Sequence, residues 1–379
     1  MPCEDGMNKV FPLFLFLCFT ACGDRPVPLV GVILPLSGGF SADGAGALSG
    51  LRALEGELGE NPSCRFVVMD NFSNPRESVR CVTELYEEGC SLIVGPAYSS
   101  SSIAASRRAK ELNIPILSPS ATHPSVTQDN PWSFRACFLD TQQAEALAKF
   151  SVSTLGANHA ALIVNLSEPY SLDLARGFAE SFVRFGGNLA GRFYYYSEEK
   201  DFQDLVEAVA ASHPDVIMIP GYAPDIRPLL EAAYPAWNGI PLLGSDGWDS
   251  PDLLADPIQV PNSIEAYISN HFSDSDASLP VRTFVTQFMR LYPGQRPTQL
   301  SALTYDAAQL AVKALAQSLD ARDPLACRDA LARLSPLGGV TGEIEMALDG
   351  DVKKSLVLQK FMVKNGQASL NFQERIEPR

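Results

Sequence analysis

The strongest constraint on this chain is an alternation that runs once, stops and begins again. Short apolar runs alternate with amphipathic stretches of helical length. Residues 30–36 (VGVILPL), 65–70 (RFVVMD), 91–94 (SLIV) and 114–117 (IPIL) read as strands. Residues 45–58, 75–88 and 99–112 read as helices between them, with Pro75 suited to a first helical turn. Continuously apolar strands are buried on both faces, so they belong in a parallel sheet covered by helices. The pattern restarts at 159–165 (HAALIVN), with strands at 190–195, 215–220 and 241–244 and helices at 171–185, 201–211 and 225–234. The fold class is therefore α/β, with two doubly wound, Rossmann-like lobes that each open on a β-α-β unit. A helix over 300–319 and a β-rich tail at 342–348 and 356–363 close the chain. Assigning that helix to the first lobe and the tail to the second makes both lobes discontinuous. Lobe 1 is then 30–138 plus 270–336, and lobe 2 is 139–269 plus 337–379, joined by a multi-strand hinge.

Residues 10–21 (VFPLFLFLCFTA) form an apolar run too short to span a bilayer but suited to a signal-peptide core. Glu4 and Asp5 precede it where a basic region is expected, so translation is expected to start at Met7. Residues 1–21 read as the signal and 22–29 as a tether. Small residues before Cys22 resemble a bacterial lipobox, which would make Cys22 the lipidated first residue. The alternative is a plain secretory signal cut near Ala21. The formal charge of −15 argues against nucleic acid or an anionic lipid surface as partner. Of eight cysteines, Cys64, Cys81, Cys90, Cys137 and Cys327 lie beyond Cys22. An exported compartment permits disulfides, an odd number leaves at least one thiol unpaired, and spacing assigns no pairs. None has metal-ligand spacing; no metal and no cofactor are expected.

Ligands in open α/β sheets sit beyond the carboxyl ends of strands, near helix N-termini. Three loops at such positions carry polar groups. Gly95 to Ser102 (GPAYSSSS) puts Tyr98 and Ser99 at a helix start, where hydroxyls and free N–H groups can hold a carboxylate. Ser118 to Pro124 (SPSATHP) offers Ser120 and Thr122. Gly244 to Trp248 (GSDGW) sets Asp246 between small residues, ready to receive an ammonium group. Taken singly, these are also an ordinary capped helix, a Ser/Pro turn and a structural aspartate. Tyr170 and Tyr222 occupy comparable loops of the second half.

Together the strings resemble one family. LPLSGGFSADGAGALSG (34–50), IVGPAYSSSS (93–102), IPILSPSATHP (114–124), FRACFLDTQQ (134–143), DFQDLVEAVAASHPDVIMIPGY (201–222), IPLLGSDGW (240–248) and GGVTGEIEMALDGDV (338–352) occur in the order and spacing of type I periplasmic binding proteins. The likeness is to the leucine/isoleucine/valine-binding type of ABC importers and runs from about Val30 to Gln367. The resemblance implies Ser99 on the ligand α-carboxylate, a backbone carbonyl and a threonine from Ser120 and Thr122, and Asp246 on the α-ammonium. It further implies Tyr170 and Tyr222 closing over the ligand. Asp43 stands where relatives commonly have tyrosine, a departure that disfavours a purely aliphatic ligand.

The expected function is a lipid-anchored solute receptor in the periplasm or cell envelope. It would bind an amino acid, branched-chain or more polar, between its lobes and deliver it to an ABC permease as a monomer. The alternative is a sensing or cell-wall-synthase-regulating lipoprotein on the same fold. An enzyme is not expected: G-x-S-x-G, G-x-G-x-x-G and P-loop motifs do not occur where such chemistry needs them.

Overall fold

The computed structural model describes residues 27–60, 62–197, 199–255, 257–259 and 264–377. The expected signal, start site and Cys22 anchor lie outside them. The first lobe begins with β1 (Leu29–Leu34), α1 (Ser41–Leu58), β2 (Arg65–Asp70), α2 (Pro75–Glu87), β3 (Cys90–Val94), α3 (Ser99–Leu112), β4 (Ile116–Ser118) and β5 (Ser133–Arg135). These strands form a parallel sheet in the order β2-β1-β3-β4-β5. The chain then crosses through α4 (Asp140–Ser153) into β6 (His159–Asn165), α5 (Pro169–Arg184), β7 (Asn188–Tyr195), α6 (Gln203–Ala211), β8 (Val216–Met218), α7 (Ala223–Ala233), β9 (Leu242–Gly244), α8 (Pro251–Leu254) and β10 (Ile264–Asn270). It returns to the first lobe through α9 (Leu279–Leu291), α10 (Gln299–Gln317), α11 (Pro324–Leu331), β11 (Leu337–Gly339), β12 (Gly342–Met346) and β13 (Val352–Lys353). Finally β14 (Leu356–Lys364) and β15 (Gln367–Ile376) complete a seven-stranded sheet ordered β15-β14-β10-β9-β8-β6-β7.

Period-two side-chain direction explains why the strands read as continuous apolar runs. In β1, Val30, Val32 and Leu34 enter the core under α1 and α10, while Ile33 enters the one under α2 and α3. In β6, Ala161 and Ile163 face α6 and α7, and Ala160, Leu162 and Val164 face α4 and α5. Each of these positions is buried and carries an apolar side chain. Helices α1 and α10 meet at Gly50, where a Cβ would overlap the Ser301 carbonyl oxygen.

The tail divides differently from the expected 337–379 assignment. Leu337, Val340, Ile344 and Val352 are buried in the first lobe's core, and only β14 and β15 join the second sheet. The split is stitched at the crossings. Lys354 donates to the Ala136 carbonyl at 2.7 Å and to Thr341 Oγ1, joining the first crossing to the last. Asn270 Nδ2, at the middle crossing, donates to Asp249 Oδ2 at 2.8 Å and Gln359 Oε1 at 2.6 Å.

Cys64, Cys81, Cys90, Cys137 and Cys327 are all buried free thiols. Burial pushes the Cys90 and Cys137 thiols up to about 12, so they behave as small apolar residues.

Candidate functional site

Each candidate side chain follows the carboxyl end of a strand. The β3–α3 turn starts at Gly95, whose φ is +99° and whose Cβ would overlap the Ile33 carbonyl oxygen. Only glycine fits this close approach, and the turn delivers Tyr98 as N-cap and Ser99 as first residue of α3. Ser120 and Thr122 follow β4. Its loop is held by Ser120 Oγ donating to the Ala97 carbonyl at 2.7 Å. Arg135 also holds it, donating to the carbonyls of Ala121 at 2.8 Å and His123 at 3.0 Å. From the second lobe, Tyr170 begins α5 behind Pro169, Tyr222 is the N-cap of α7, and Asp246 opens a single 3-10 turn after β9.

The lobes bring these groups against one another. Phe40 and Tyr98 of the first lobe stack at 4.0 Å between ring centroids. Tyr98 meets Tyr222 of the second lobe edge-on at 4.9 Å, and Tyr222 stacks on Tyr170 at 4.8 Å. The Tyr170 hydroxyl donates to Asp246 Oδ1 at 2.5 Å, and His271 Nε2 lies 3.4 Å from Oδ2. At the other end of the ring series, Asp43 Oδ2 accepts from the Tyr98 hydroxyl at 2.7 Å and from Ser250 Oγ, across the lobes, at 3.0 Å. Gln299, at the start of α10, donates through Nε2 to the Asp246 and Asp249 carbonyls, a second cross-lobe contact.

Several buried polar atoms here make no hydrogen bond, among them both His271 ring nitrogens and Gln299 Oε1. Ser99 Oγ is buried and makes no hydrogen bond, with the Tyr222 hydroxyl as its neighbour. Asp140, at the N-terminus of α4, keeps one buried carboxyl oxygen without a partner. Its backbone N–H donates to the Thr122 carbonyl at 3.0 Å. Buried polar atoms are nearly always satisfied, so such exceptions in one place point to an absent partner.

Phe40, Asp140, Ser250, His271 and Gln299 were not among the residues singled out from sequence. Phe40 lies inside the family-like string 34–50 and could have been noticed. Asp140 likewise lies inside the string 134–143, and Ser250 just past 240–248; His271 and Gln299 stand in none of the strings and gain meaning only through cross-lobe proximity.

Desolvation dominates the electrostatics. Burial pushes the carboxyl of Asp43 up to about 7, against the lowering effect of its Tyr98 and Ser250 hydrogen bonds. Burial likewise raises Glu168 to about 7 and Asp249 to about 6, and pushes Asp140 well above the ordinary carboxylate range. The same burial lowers His271, leaving a neutral imidazole at pH 7. Through the raised carboxyls, the folded chain between pH 4 and 7 holds protons that the unfolded chain has released, while His271 contributes in the opposite sense. Raised carboxyl values stabilise fully at the acid end of this window, and that stabilisation is lost as pH rises through it. The melting temperature, without added ligand, is expected to fall from pH 4.5 to 7.5. Asp43→Asn should flatten the fall by an amount on the order of a few kcal/mol. An unchanged slope in the variant would show that Asp43 titrates normally.

Two α/β lobes meeting over a polar, aromatic cleft define a bilobal binding protein. A profile of the periplasmic binding protein family matches residues 29–360, and the chain belongs to that family. It is of the type I class, similar to leucine-binding proteins. Its structure resembles the leucine-binding protein LivK of Thermotoga maritima, with 29% identity, a TM-score of 0.84, and 93% of this chain and 99% of that chain covered. It also resembles LivJ of Streptococcus pneumoniae, solved with isoleucine (22% identity, TM-score 0.80, 92% and 99% covered). A solute-binding protein of R. palustris solved with 4-hydroxybenzoate has the same fold (21% identity, TM-score 0.80, 93% and 97% covered). In sequence, the Leu/Ile/Val-binding protein BraC3 of Rhizobium johnstonii is 25% identical over 60% of this chain and 63% of its own length. The leucine-specific-binding protein of Salmonella typhimurium is matched over 45% of its length. The matches to these last two relatives thus span less than two thirds of their own length. Family membership places the protein outside the cytoplasm. No described helix is long and apolar enough to cross a membrane.

Proposed function

We propose that this protein is an extracytoplasmic receptor that closes on a zwitterionic amino acid, branched-chain or more polar, and passes it to an ABC permease. The observation that carries the reading is polar asymmetry across the cleft. On one lobe Ser99 Oγ is buried and unpartnered at the N-terminus of α3, where free N–H groups and the helix dipole attract an anion. On the other lobe the Asp246 carboxylate is buried beside Tyr170. The two are linked through the Tyr222 and Tyr170 rings. A ligand carboxylate on Ser99, with Ser120 and Thr122 in the neighbouring loop, and its ammonium on Asp246 would touch both lobes. It would therefore favour their closed arrangement. Leucine- and isoleucine-binding relatives support the ligand class. The fold serves as a binding cleft and is not an enzyme in this reading.

The test is a thermal-shift panel of amino acids, small amides and aromatic carboxylates. A true ligand at about 100 times its Kd stabilises by about 2.7 kcal/mol. The protein is expected to respond to at least one α-amino acid; no response to any would reject the reading, and a response to benzoates alone would replace the ligand class. For the anchor, Cys22→Ser is expected to move the protein from the membrane fraction to the soluble one. Unchanged membrane association would argue against a lipid at Cys22.

A further inference from the structure

Asp43 is the least explained group in the cleft. It sits in the first turn of α1 and is 3% exposed. Both of its side-chain hydrogen bonds fall on Oδ2, from Tyr98 and Ser250. Both partners are hydroxyls, which bring no charge to offset the carboxylate. Three further carboxylates, Asp140, Asp246 and Asp249, are buried in the same region.

Among the described residues, no lysine or arginine forms an ion pair with any of these four. Arg135 is committed to Asp351 at 2.7 Å and to loop carbonyls, and Lys354 to Ala136 and Thr341. His271 is the one cationic-type neighbour, at Asp246, and it is buried against the Phe138 ring at 3.7 Å. A neutral zwitterion brings one ammonium and one carboxylate, so it leaves this excess of acidic groups unchanged. An aliphatic side chain would set methyl groups against the buried Asp43 carboxyl and supply it no counter-charge.

The ring series separates the two candidate cation acceptors. Asp246 lies at the Tyr170 end and Asp43 at the Tyr98 end, with Tyr222 between. The faces of such rings attract cations, most of all when desolvated. The unpartnered Ser99 Oγ lies beside the central ring, where the carboxylate of such a ligand would be met. Resting on the amino-acid reading above, we infer that the ligand carries a second cationic group at the end of its side chain, as a diamino or guanidino acid does. Asp43, with the Phe40, Tyr98 and Tyr222 rings, is the determinant that selects it. Tyr98 and Ser250 hold the carboxylate in place.

The test is calorimetric titration of the purified full protein with lysine, arginine and ornithine, each against a neutral counterpart. Norleucine removes the amine of lysine, and Nε-acetyllysine keeps its length but removes its charge. At least one basic amino acid is expected to bind on the order of 10-fold or more tighter than its neutral counterparts. Asp43→Asn should erase that preference while still binding the neutral ligands. Equal or tighter binding of norleucine or leucine would overturn the inference and leave the amino-acid reading intact. A preference that survives in Asp43→Asn would remove Asp43 as its source. No binding of any α-amino acid would instead overturn the reading on which the inference rests. Should the variant not fold, the lysine and Nε-acetyllysine comparison on the unaltered protein decides.

Discussion

Asp246→Ala is expected to weaken binding of an amino-acid ligand by roughly 30-fold to several thousand-fold, the effect of truncating one partner of a buried charge pair at about 2–5 kcal/mol. The reason is local. Asp246 is the carboxylate that the Tyr170 hydroxyl and His271 both approach, and it opens the turn that Gln299 reaches from the opposite lobe. Its backbone carbonyl survives the substitution, so the cross-lobe bond from Gln299 is retained. What is lost is the negative charge and the acceptor for Tyr170. Leaving the proton of that buried hydroxyl without its acceptor, although its oxygen still accepts from the Gly247 N–H at 3.4 Å, costs about 1–3 kcal/mol of stability, which thermal unfolding measures independently of affinity. Affinity retained within a few-fold would mean that the ammonium is held elsewhere, with Asp140, a buried carboxyl coupled to both tyrosines, the first alternative to test.

The second large effect is expected at a residue that would touch no ligand. Arg135 ends β5 with 0% exposure and donates to Asp351 Oδ1 at 2.7 Å, Thr127 Oγ1 at 2.9 Å, and the Ala121, His123 and Pro124 carbonyls. Its guanidinium thus ties the β4–β5 loop to the Asp351 turn that precedes β13. Arg135→Met keeps the bulk but removes every donor. Breaking a buried pair from one side typically costs about 3–5 kcal/mol, a large share of the 5–15 kcal/mol usual for a folded domain. The variant is expected to unfold at markedly lower urea concentration with an unchanged m value. Ligand affinity should fall as well, because Ser120 and Thr122 lose the anchors of their loop. A midpoint equal to that of the unaltered protein would show that the network is dispensable.

The sequence was most legible where burial is two-sided. Residues 65–70, 159–165 and 99–112 read as elements and are elements with those bounds. Strand β15 was not read. It alternates half-buried and exposed positions at a sheet edge, so its apolar signal is diluted. Helix α9 was missed for a related reason: Val281, Phe284 and Phe288 are buried, but Leu279, Met289 and Leu291 are exposed and blur the stripe. Strands β11 to β13 follow the same apparent β pattern as β14, yet they pack in the other lobe. Sequence proximity cannot say which core a short strand completes; the crossing at Lys354 decides it.

By itself, then, the sequence determined that the chain repeats an α/β plan twice, and it marked the loops that follow strand ends. Periodic burial is a local property, and such loops are recognisable by their glycines, prolines and serines. Only the tertiary structure decided which loops meet. It joined Asp43 to Ser250 across 207 positions of chain, and Gln299 to Asp246 across 53. It also set four aromatic rings from three separate loops and one helix start in contact. Contacts of that kind depend on how two separately formed sheets dock, and no periodicity within either half encodes the angle between them.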